Sequence, residues 1–357
     1  MVWIAAWAGV GPGSAAAEDA QVLRVATFGA KLSRDGPGLL LRDLRREDAQ
    51  ARAAARIVAE AAPDVLLLTD FDYDHEGLAL REFARRLDRA GHPMPHRFAL
   101  RPNAGWATGL DLDGDGRRGT ARDAQGWGRF AGDGGMALLS RHPVAAAGAR
   151  DFSELLWRDL PGSLAPGAGL DEAVLARQRL SSTGHWVVEV RPPGQAAVRV
   201  LAFDATPPVF DGPEDRNGRR NADEIRFWRL FLDGRFGPAP DERFVQMGNA
   251  NLDPADGEGR HAAIRALLAD PRLQDPRPAS PGGRAAANAE HAGDPALDTA
   301  DWGDPVPGNL RVDYVLPSAD WEVRGAGVVW PEAGPLRATA AAAGRHRLVW
   351  VDIAPGD

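Results

Sequence analysis

Hydrophobic runs of strand length recur along the chain, each bounded by polar or turn-forming residues. They lie at residues 22–28, 64–69, 135–140, 185–190, 198–203, 244–247, 312–316 and 348–353. Short apolar runs of this kind predict strands, and a continuous run such as 64–69 is typical of a strand covered on both faces. The runs at 185–190 and 198–203 flank a Pro-Pro-Gly sequence, which predicts a hairpin across residues 192–194.

Three segments between these runs have helical character. Residues 47–62 are Ala-rich with acids at the start, and residues 221–233 repeat apolar side chains at helical spacing. In the second segment, Asn221 is placed to cap the helix, with Glu224 three residues on. Residues 257–268 predict a further helix. The chain therefore reads as an α/β protein that begins with a strand, helix, strand unit.

The first 20 residues differ from the rest of the chain. An apolar run at 2–10 precedes small residues at 14–17, as in the later part of a secretory signal, but no positive region comes before it. A truncated signal and a disordered terminus both fit. A signal would imply a periplasmic or extracellular protein; otherwise we expect a cytoplasmic one. No linker divides the remainder, so residues 21–357 are predicted to form a single domain.

The composition of the chain disfavours one kind of binding partner and excludes several kinds of reactive site. The chain has 357 residues, 44% of them hydrophobic, and a net charge of -8, which disfavours long nucleic acids as partners. It contains no cysteine, which excludes disulfides, thiolate metal sites and cysteine nucleophiles. No run approaches the roughly 18 apolar residues that a membrane span needs. Abundant Ala and Arg are typical of a high-GC bacterial gene.

Polar residues follow the predicted strands at six places. They are Phe28-Gly29, Thr69-Asp70, Asp204 with the segment 205–208, Gly248 to Asn251, Arg311 to Tyr314, and Gly344 to His346. Amides and carboxylates at a strand end suit a phosphate, a metal ion or a nucleophilic water. The alternative for any one of them is a turn that satisfies its own backbone.

Taken in order, these motifs resemble those of the endonuclease/exonuclease/phosphatase superfamily, the DNase I-like metal-dependent phosphoesterases, from about Val22 to Ile353. The resemblance implies a four-layer sandwich of two packed mixed β-sheets with helices on the outer faces. It also implies hydrolysis of a phosphomonoester or phosphodiester with Mg²⁺ or Mn²⁺. Given the acidic net charge, we expect a small or nucleotide-like substrate.

The resemblance also assigns roles to particular residues. Asp70 and Asp313 match carboxylates associated with the metal, Asn251 matches the amide that orients the phosphate, and His346 matches the histidine that meets it. Asn249 and Asp204 stand at two further catalytic positions.

This chain departs from the family pattern at several of these motifs. The first strand ends in Gly29 rather than Asn, and Asp204 replaces a His. Asn249 replaces an Asp and cannot accept a proton from water. Gly344 and Arg345 replace Ser and Asp before His346, so the carboxylate that orients this histidine is absent unless another residue supplies it. A weakened phosphoesterase and a non-catalytic anion-, metal- or partner-binding protein both remain open.

Two other segments carry candidate binding residues. Asp111, Asp113 and Asp115, with Gly116, match the first half of a calcium loop, and Asp123 lies one residue beyond the expected last ligand. A solvated acidic turn is the alternative. The charged stretch 211–221 offers Arg216, Asn217 and Arg220 for substrate contact, and an internally salt-bridged loop explains it equally well. The isolated His75, His142, His185 and His261 are interpreted as structural or exposed.

Overall fold

The computed structural model describes residues 22–304 and 306–356. The predicted signal-like segment at residues 1–20 lies outside the described residues. The eight predicted strand runs are all confirmed as parts of strands. In chain order the strands are β1 Leu23–Leu32, β2 Val65–Phe71, β3 His96–Phe98, β4 Gly135–Ser140, β5 Arg150–Asp151, β6 Gly184–Val190, β7 Val198–Asp204, β8 Phe244–Asn249, β9 Ala300–Asp301, β10 Asn309–Leu310, β11 Asp313–Pro317, β12 Trp321–Val328 and β13 Val349–Pro355.

The helices are α1 Leu39–Arg45, α2 Ala49–Ala61, α3 Leu78–Arg89, α4 Glu172–Leu175, α5 Arg216–Leu232, α6 Ala262–Leu268, α7 Pro281–Ala285 and α8 Pro335–Ala343. Among the described residues, no helix is long and apolar enough to cross a membrane.

The prediction for the helix at 221–233 was wrong about its start. Helix α5 begins at Arg216, so Asn221 is an interior residue and not the cap. Helix α6 begins later than the predicted residue 257, because Gly257 and Gly259 adopt positive φ angles of 74° and 121° in the preceding turn. Asp48 caps α2, its side chain accepting a hydrogen bond from the Ala51 amide.

The strands form two large mixed sheets and a small two-stranded one. The first has the order β12-β13-β1-β2-β4-β3, and the second has the order β11-β8-β7-β6-β5. Only β1–β2 and β7–β8 run parallel within them. The predicted hairpin is confirmed, since β6 and β7 pair antiparallel from Gly184–Asp204 to Val190–Val198.

The strands alternate between two apolar layers. Side chains such as Val25, Leu67, Val200 and Met247 fill the layer between the sheets. Helices α1, α2, α3 and α8 cover the outer face of the first sheet, and α5 and α6 cover that of the second. The expected four-layer α/β sandwich is therefore confirmed.

Candidate active site

The alternation of side chains along the strands sets the position of the site. Every second side chain of β2, β7 and β8 faces the other sheet. These are residues 65 and 67 of β2, residues 198, 200 and 202 of β7, and residues 245 and 247 of β8. Continuing that period of two places Thr69, Asp204 and Asn249 on the same inner faces, at the strand ends. The polar residues therefore meet between the two sheets, at one end of the sandwich.

His346 and Asp313 form a hydrogen-bonded pair at this end. His346 Nδ1 lies 2.8 Å from Asp313 Oδ2, and the same oxygen accepts a hydrogen bond from the Thr299 hydroxyl at 3.0 Å. Thr299 Oγ1 in turn accepts from the Asp313 amide. The carboxylate that orients His346, which the residues before it lack, is therefore supplied by Asp313. Asp313 Oδ2 is therefore engaged by His346 and Thr299.

Gly29 provides the space that the imidazole occupies. A Cβ atom at Gly29 would lie 2.8 Å from His346 Cγ and 3.1 Å from Nδ1, closer than side-chain contacts allow. Trp302 packs edge-on against the imidazole, with ring centroids 5.2 Å apart. The loss of Asn at position 29 is thus coupled to the position of His346, since any side chain there would displace the ring.

Asp204 and Asn249 are register partners on the parallel strands β7 and β8. Asn249 Nδ2 donates to Asp204 Oδ1 at 3.2 Å, and Asn249 Oδ1 accepts from the Asn251 amide. Asn251 Nδ2 donates to the Ala205 carbonyl at 2.7 Å. The amides are therefore committed to holding the two strand ends together.

Asp70 lies close enough to this group to affect its protonation. Burial, followed by the charge of Asp70, raises the pKa of Asp204 to about 8. Although burial opposes protonation of His346, the Asp313 carboxylate and the charges of Asp70 and Asp204 together raise its pKa above the ordinary value. At neutral pH Asp204 is therefore mainly a neutral acid, and His346 keeps a proton more readily than a free histidine.

Asp70 itself is held in a strained backbone conformation. Its φ angle is 56° and that of Asn251 is 49°, in the left-handed region that costs a residue other than glycine on the order of 1 kcal/mol or more. The Ser33 hydroxyl donates to Asp70 Oδ1 at 2.5 Å. Asp72 accepts from the Arg34 and Gly134 amides, and burial, opposed in part by the Gly134 hydrogen bond, raises its pKa to about 7. Asp72 thereby joins the two loops beside Asp70.

Two carboxylate oxygens at this site suit a hard cation. Asp313 Oδ1 is buried and has no hydrogen-bond partner in the described part of the chain. Asp70 Oδ2 makes no hydrogen bond to any described residue either. Mg²⁺ is typically held by one or two carboxylates and otherwise by water or substrate phosphate. This donor set fits such an ion.

The acidic loop contains a different carboxylate group. Ligand oxygens of Asp111, Asp113 and Asp115 all lie within 4.8 Å of one another. Asp123 does not join them, which corrects its assignment as the last ligand. Its two oxygens accept hydrogen bonds from the Leu112 amide and from Thr120, and it is 1% exposed.

The charged stretch 211–221, which includes the first turns of α5, makes its contacts within the protein. Arg220 is 4% exposed and donates to main-chain carbonyls of residues 125, 179, 180 and 181, so its assignment to substrate binding was wrong. Arg216 donates to the Leu112 carbonyl, and Asn217 Nδ2 donates to the Val209 carbonyl. These contacts tie α5 to the neighbouring loops.

Sequence reasoning did not identify Thr299 and Ser33, which contact Asp313 and Asp70. No local sequence pattern marks either residue, because each lies in a different segment of the chain from the carboxylate that it contacts. Glu224 was noted only for its spacing from Asn221, but its carboxylate is buried beside the end of β7.

Comparisons with known proteins agree with this fold. The sequence profile of the Endonuclease/Exonuclease/phosphatase family matches residues 29–346. No curated protein sequence matches significantly.

Solved structures with the same fold include an endonuclease/exonuclease/phosphatase from Beutenbergia cavernae, 19% identical with a TM-score of 0.56, covering 94% of this chain and 72% of that one. A second, from Bacteroides vulgatus, is 10% identical with a TM-score of 0.54, covering 94% and 99%. A beta toxin variant from Staphylococcus aureus with bound magnesium ions is 11% identical with a TM-score of 0.51, covering 94% and 100%.

Proposed function

The chain belongs to the endonuclease/exonuclease/phosphatase family, and on this premise we propose that it is a metal-dependent phosphoesterase. Its substrate is a small or nucleotide-like phosphate monoester or diester, and its activity is weakened by the residues at positions 204 and 249. The observation that carries the proposal is the His346–Asp313 pair beside Asp70, at the end of the sandwich where the family motifs converge.

His346 supplies the donor for the phosphate. Asp313 holds Nδ1, and Nε2 has no hydrogen-bond partner among the described residues. Burial lowers the pKa of His346, but the Asp313 carboxylate and the charges of Asp70 and Asp204 raise it above its ordinary value, which favours the imidazolium form that carries a proton on Nε2. A protonated imidazole stabilises the negative charge of a phosphate oxygen by a charge-assisted hydrogen bond.

Asp70 and Asp313 Oδ1 are the groups that would hold a divalent cation, Mg²⁺ or Mn²⁺. The beta toxin with the same fold was solved with bound magnesium ions. Such an ion neutralises phosphate charge and lowers the pKa of bound water. Without a cation, Asp70 would repel the substrate phosphate.

Asp204 and Asn249 limit the reaction. Asn249 has no basic oxygen, and its amide donates to Asp204 instead of accepting a proton from water. Asp204 is mostly protonated below pH 8, because burial and Asp70 raise its pKa to about 8. Below that pH neither residue is an effective general base.

The test is hydrolysis of bis(p-nitrophenyl) phosphate with Mg²⁺ or Mn²⁺, compared with hydrolysis in chelator. We expect slow metal-dependent turnover, and a loss of at least about 10²-fold in Asp70→Asn, because a bound cation contributes several kcal/mol. Asp115→Asn in the acidic loop is the matched control and should keep the wild-type rate. Equal rates with metal and in chelator would contradict the proposal.

A non-catalytic binding protein is the second candidate, and the Asn249–Asp204 hydrogen bond favours it. In that case the wild-type chain would show no turnover, while calorimetry would detect Mn²⁺ or inorganic phosphate binding that Asp70→Asn abolishes.

A further inference from the structure

Helix α5 presents two polar side chains, Asn221 and Glu224, to the strand ends of the site. They are three residues apart and therefore lie on one face of the helix. Both are fully buried, with 0% exposure. Asn221 Nδ2 donates to the carbonyls of Thr206 and Ala250, each at 2.7 Å, and so joins the segments that leave β7 and β8.

Glu224 joins the segments on both sides of Asp204. Its Oε1 accepts from the Ser182 amide at 2.5 Å and from the Ser182 hydroxyl at 2.8 Å, immediately before β6. Its Oε2 accepts from the Thr206 amide at 2.7 Å, two residues after Asp204. The carboxylate therefore fixes the distance between the start of β6 and the exit from β7.

Asp204 is held by the same segments. The Thr183 hydroxyl donates to Asp204 Oδ2 at 3.2 Å, and the Ser182 hydroxyl lies 3.3 Å from the Asp204 carbonyl. Since Ser182 and Thr206 are both bonded to Glu224, a shift of Glu224 would move the donor of the Asp204 carboxylate and the backbone that carries it.

A buried carboxylate in this place is costly. Glu224 has no salt-bridge partner within the part of the chain that is described, and burial raises its pKa although Arg220 and the Ser182 and Thr206 hydrogen bonds oppose the shift. An alanine would avoid the desolvation cost but would leave two buried amides without acceptors. The group is therefore suited to fixing the geometry of these segments.

We propose that Glu224 is a positioning residue of the site, which sets the geometry of Asp204, Thr183 and Asn251 through Ser182 and Thr206. Its effect on catalysis rests on the proposed phosphoesterase function, whereas its effect on the strand ends does not.

Asp223 offers a matched control on the same helix. It is also 0% exposed, and it accepts hydrogen bonds from Trp157 Nε1 and the Leu164 amide, each at 2.7 Å. These contacts hold the segment 157–164 rather than the strand ends. Asp223→Asn therefore removes a buried carboxylate of the same helix and leaves the hydrogen bonds of Glu224 to Ser182 and Thr206 in place.

The experiment compares Glu224→Gln with Asp223→Asn by hydrogen exchange and by the side-chain amide NMR signals of Asn249 and Asn251. In Glu224→Gln we expect exchange at residues 182–184 and 204–206 to be at least about tenfold faster than in Asp223→Asn, because glutamine has one acceptor oxygen where the carboxylate has two, so the Ser182 or the Thr206 amide loses its partner. The Asn251 signal, which reports its bond to the Ala205 carbonyl, should shift in Glu224→Gln and not in Asp223→Asn. Ser182→Ala, which keeps the backbone bond to Glu224, should show the same changes at smaller size if Glu224→Gln does not fold.

Steady-state kinetics of the same two variants are the second part of the experiment. A misplaced catalytic group can cost about 10²-fold, so kcat should fall by this order in Glu224→Gln with KM within about twofold, while Asp223→Asn keeps both. Equal exchange and equal Asn251 signals in the two variants would overturn the proposal, whatever the kinetics. A wild-type protein without turnover would overturn the phosphoesterase function, and the exchange result would still decide the role of Glu224.

Discussion

The molecule contains two groups of aspartate residues that differ in almost every physical respect. The strand-end group of Asp70, Asp204 and Asp313 lies at the end of the two sheets, and its members are bonded to side chains from distant segments. The loop group of Asp111, Asp113 and Asp115 lies within five consecutive residues, and its hydrogen bonds go to its own backbone amides. One group depends on the fold, and the other depends on a local turn.

Burial explains why the two groups have different chemistry. At the strand ends burial and the charge of Asp70 raise the pKa of Asp204 to about 8, so this carboxyl group is mainly protonated at neutral pH. In the loop the side chains face solvent, which screens like charges, and a cation is the natural partner of three adjacent oxygens. Neighbouring carboxylates alone therefore do not define a catalytic site; the protonation that the fold imposes on them also matters.

The largest expected difference between the two groups is in catalysis. His346→Ala should lower the rate of phosphodiester hydrolysis by about 10²- to 10⁴-fold, because a positioned proton donor typically contributes that much. Asp113→Asn, in the loop group, should leave the rate unchanged. Steady-state kinetics on both variants check this. A similar loss in both would mean that the loop group is part of the site.

The two groups should also differ in how stability depends on pH. Burial and Asp70 raise the pKa of Asp204 to about 8, so the folded state holds a proton that the unfolded chain releases from about pH 4 upward. This contribution is fully present below pH 4 and is lost as pH rises to about 8, at about 1.4 kcal/mol per pH unit at most. Asp204→Asn should therefore raise the Tm at pH 8.5 and not at pH 4.

Melts of Asp204→Asn and Asp115→Asn at both pH values make this measurement. The loop variant should show no such pH-dependent gain. An Asp204→Asn protein that is less stable than the wild type at pH 8.5 would show that Asp204 is ionised and stabilised by a partner.

Calcium should act on the loop group alone. At 100 times its dissociation constant, Ca²⁺ bound only to the folded state adds roughly 2.7 kcal/mol of stability. Thermal melts in millimolar calcium and in chelator measure this, with Asp113→Asn as the variant that should lose the effect. Identical melting of the wild type in both conditions would leave the loop as a solvated acidic turn.

A smaller effect is expected at Gly29. Gly29→Asn restores the residue that the family has, but its Cβ would lie 2.8 Å from His346 Cγ. We therefore expect activity to fall by at least about tenfold, since displacing His346 removes part of its contribution as a positioned donor. Kinetics of Gly29→Asn and Gly29→Ala test this, and an unchanged rate would show that the ring can move without loss.

The sequence predicted the fold, and it pointed to the residues of both groups, with Asp123 wrongly added to the loop group. Alternating or continuous apolar runs predicted the strands, and the order of polar strand ends led to Asp70 and His346, which are 276 residues apart in sequence. Their contacts could not be predicted in this way. The bond of Asp313 to His346 requires the register of β11 and the path of the loop before β13, and no sequence spacing encodes these.

Errors in the site predictions have the same cause. Arg220 looked like an anion-binding residue because it is charged and was expected just before a helix. The helix begins at Arg216, four residues before Arg220, so Arg220 lies inside α5 and is turned into the protein, where it donates to main-chain carbonyls. Asp123 looked like a calcium ligand by spacing, but its oxygens hold the turn around Thr120.

Asp204 and Asn249, which stand where the family has His and Asp, allow the most direct test of the proposed function. We predict that Asn249→Asp combined with Asp204→His raises metal-dependent phosphodiesterase activity by at least about tenfold, because it restores a base and a cationic donor. Asn249→Asp alone should help less, since two carboxylates would then lie beside the phosphate. A wild-type rate of about 1 to 10³ per second, together with a slower double variant, would contradict the account and make Asp204 the working base.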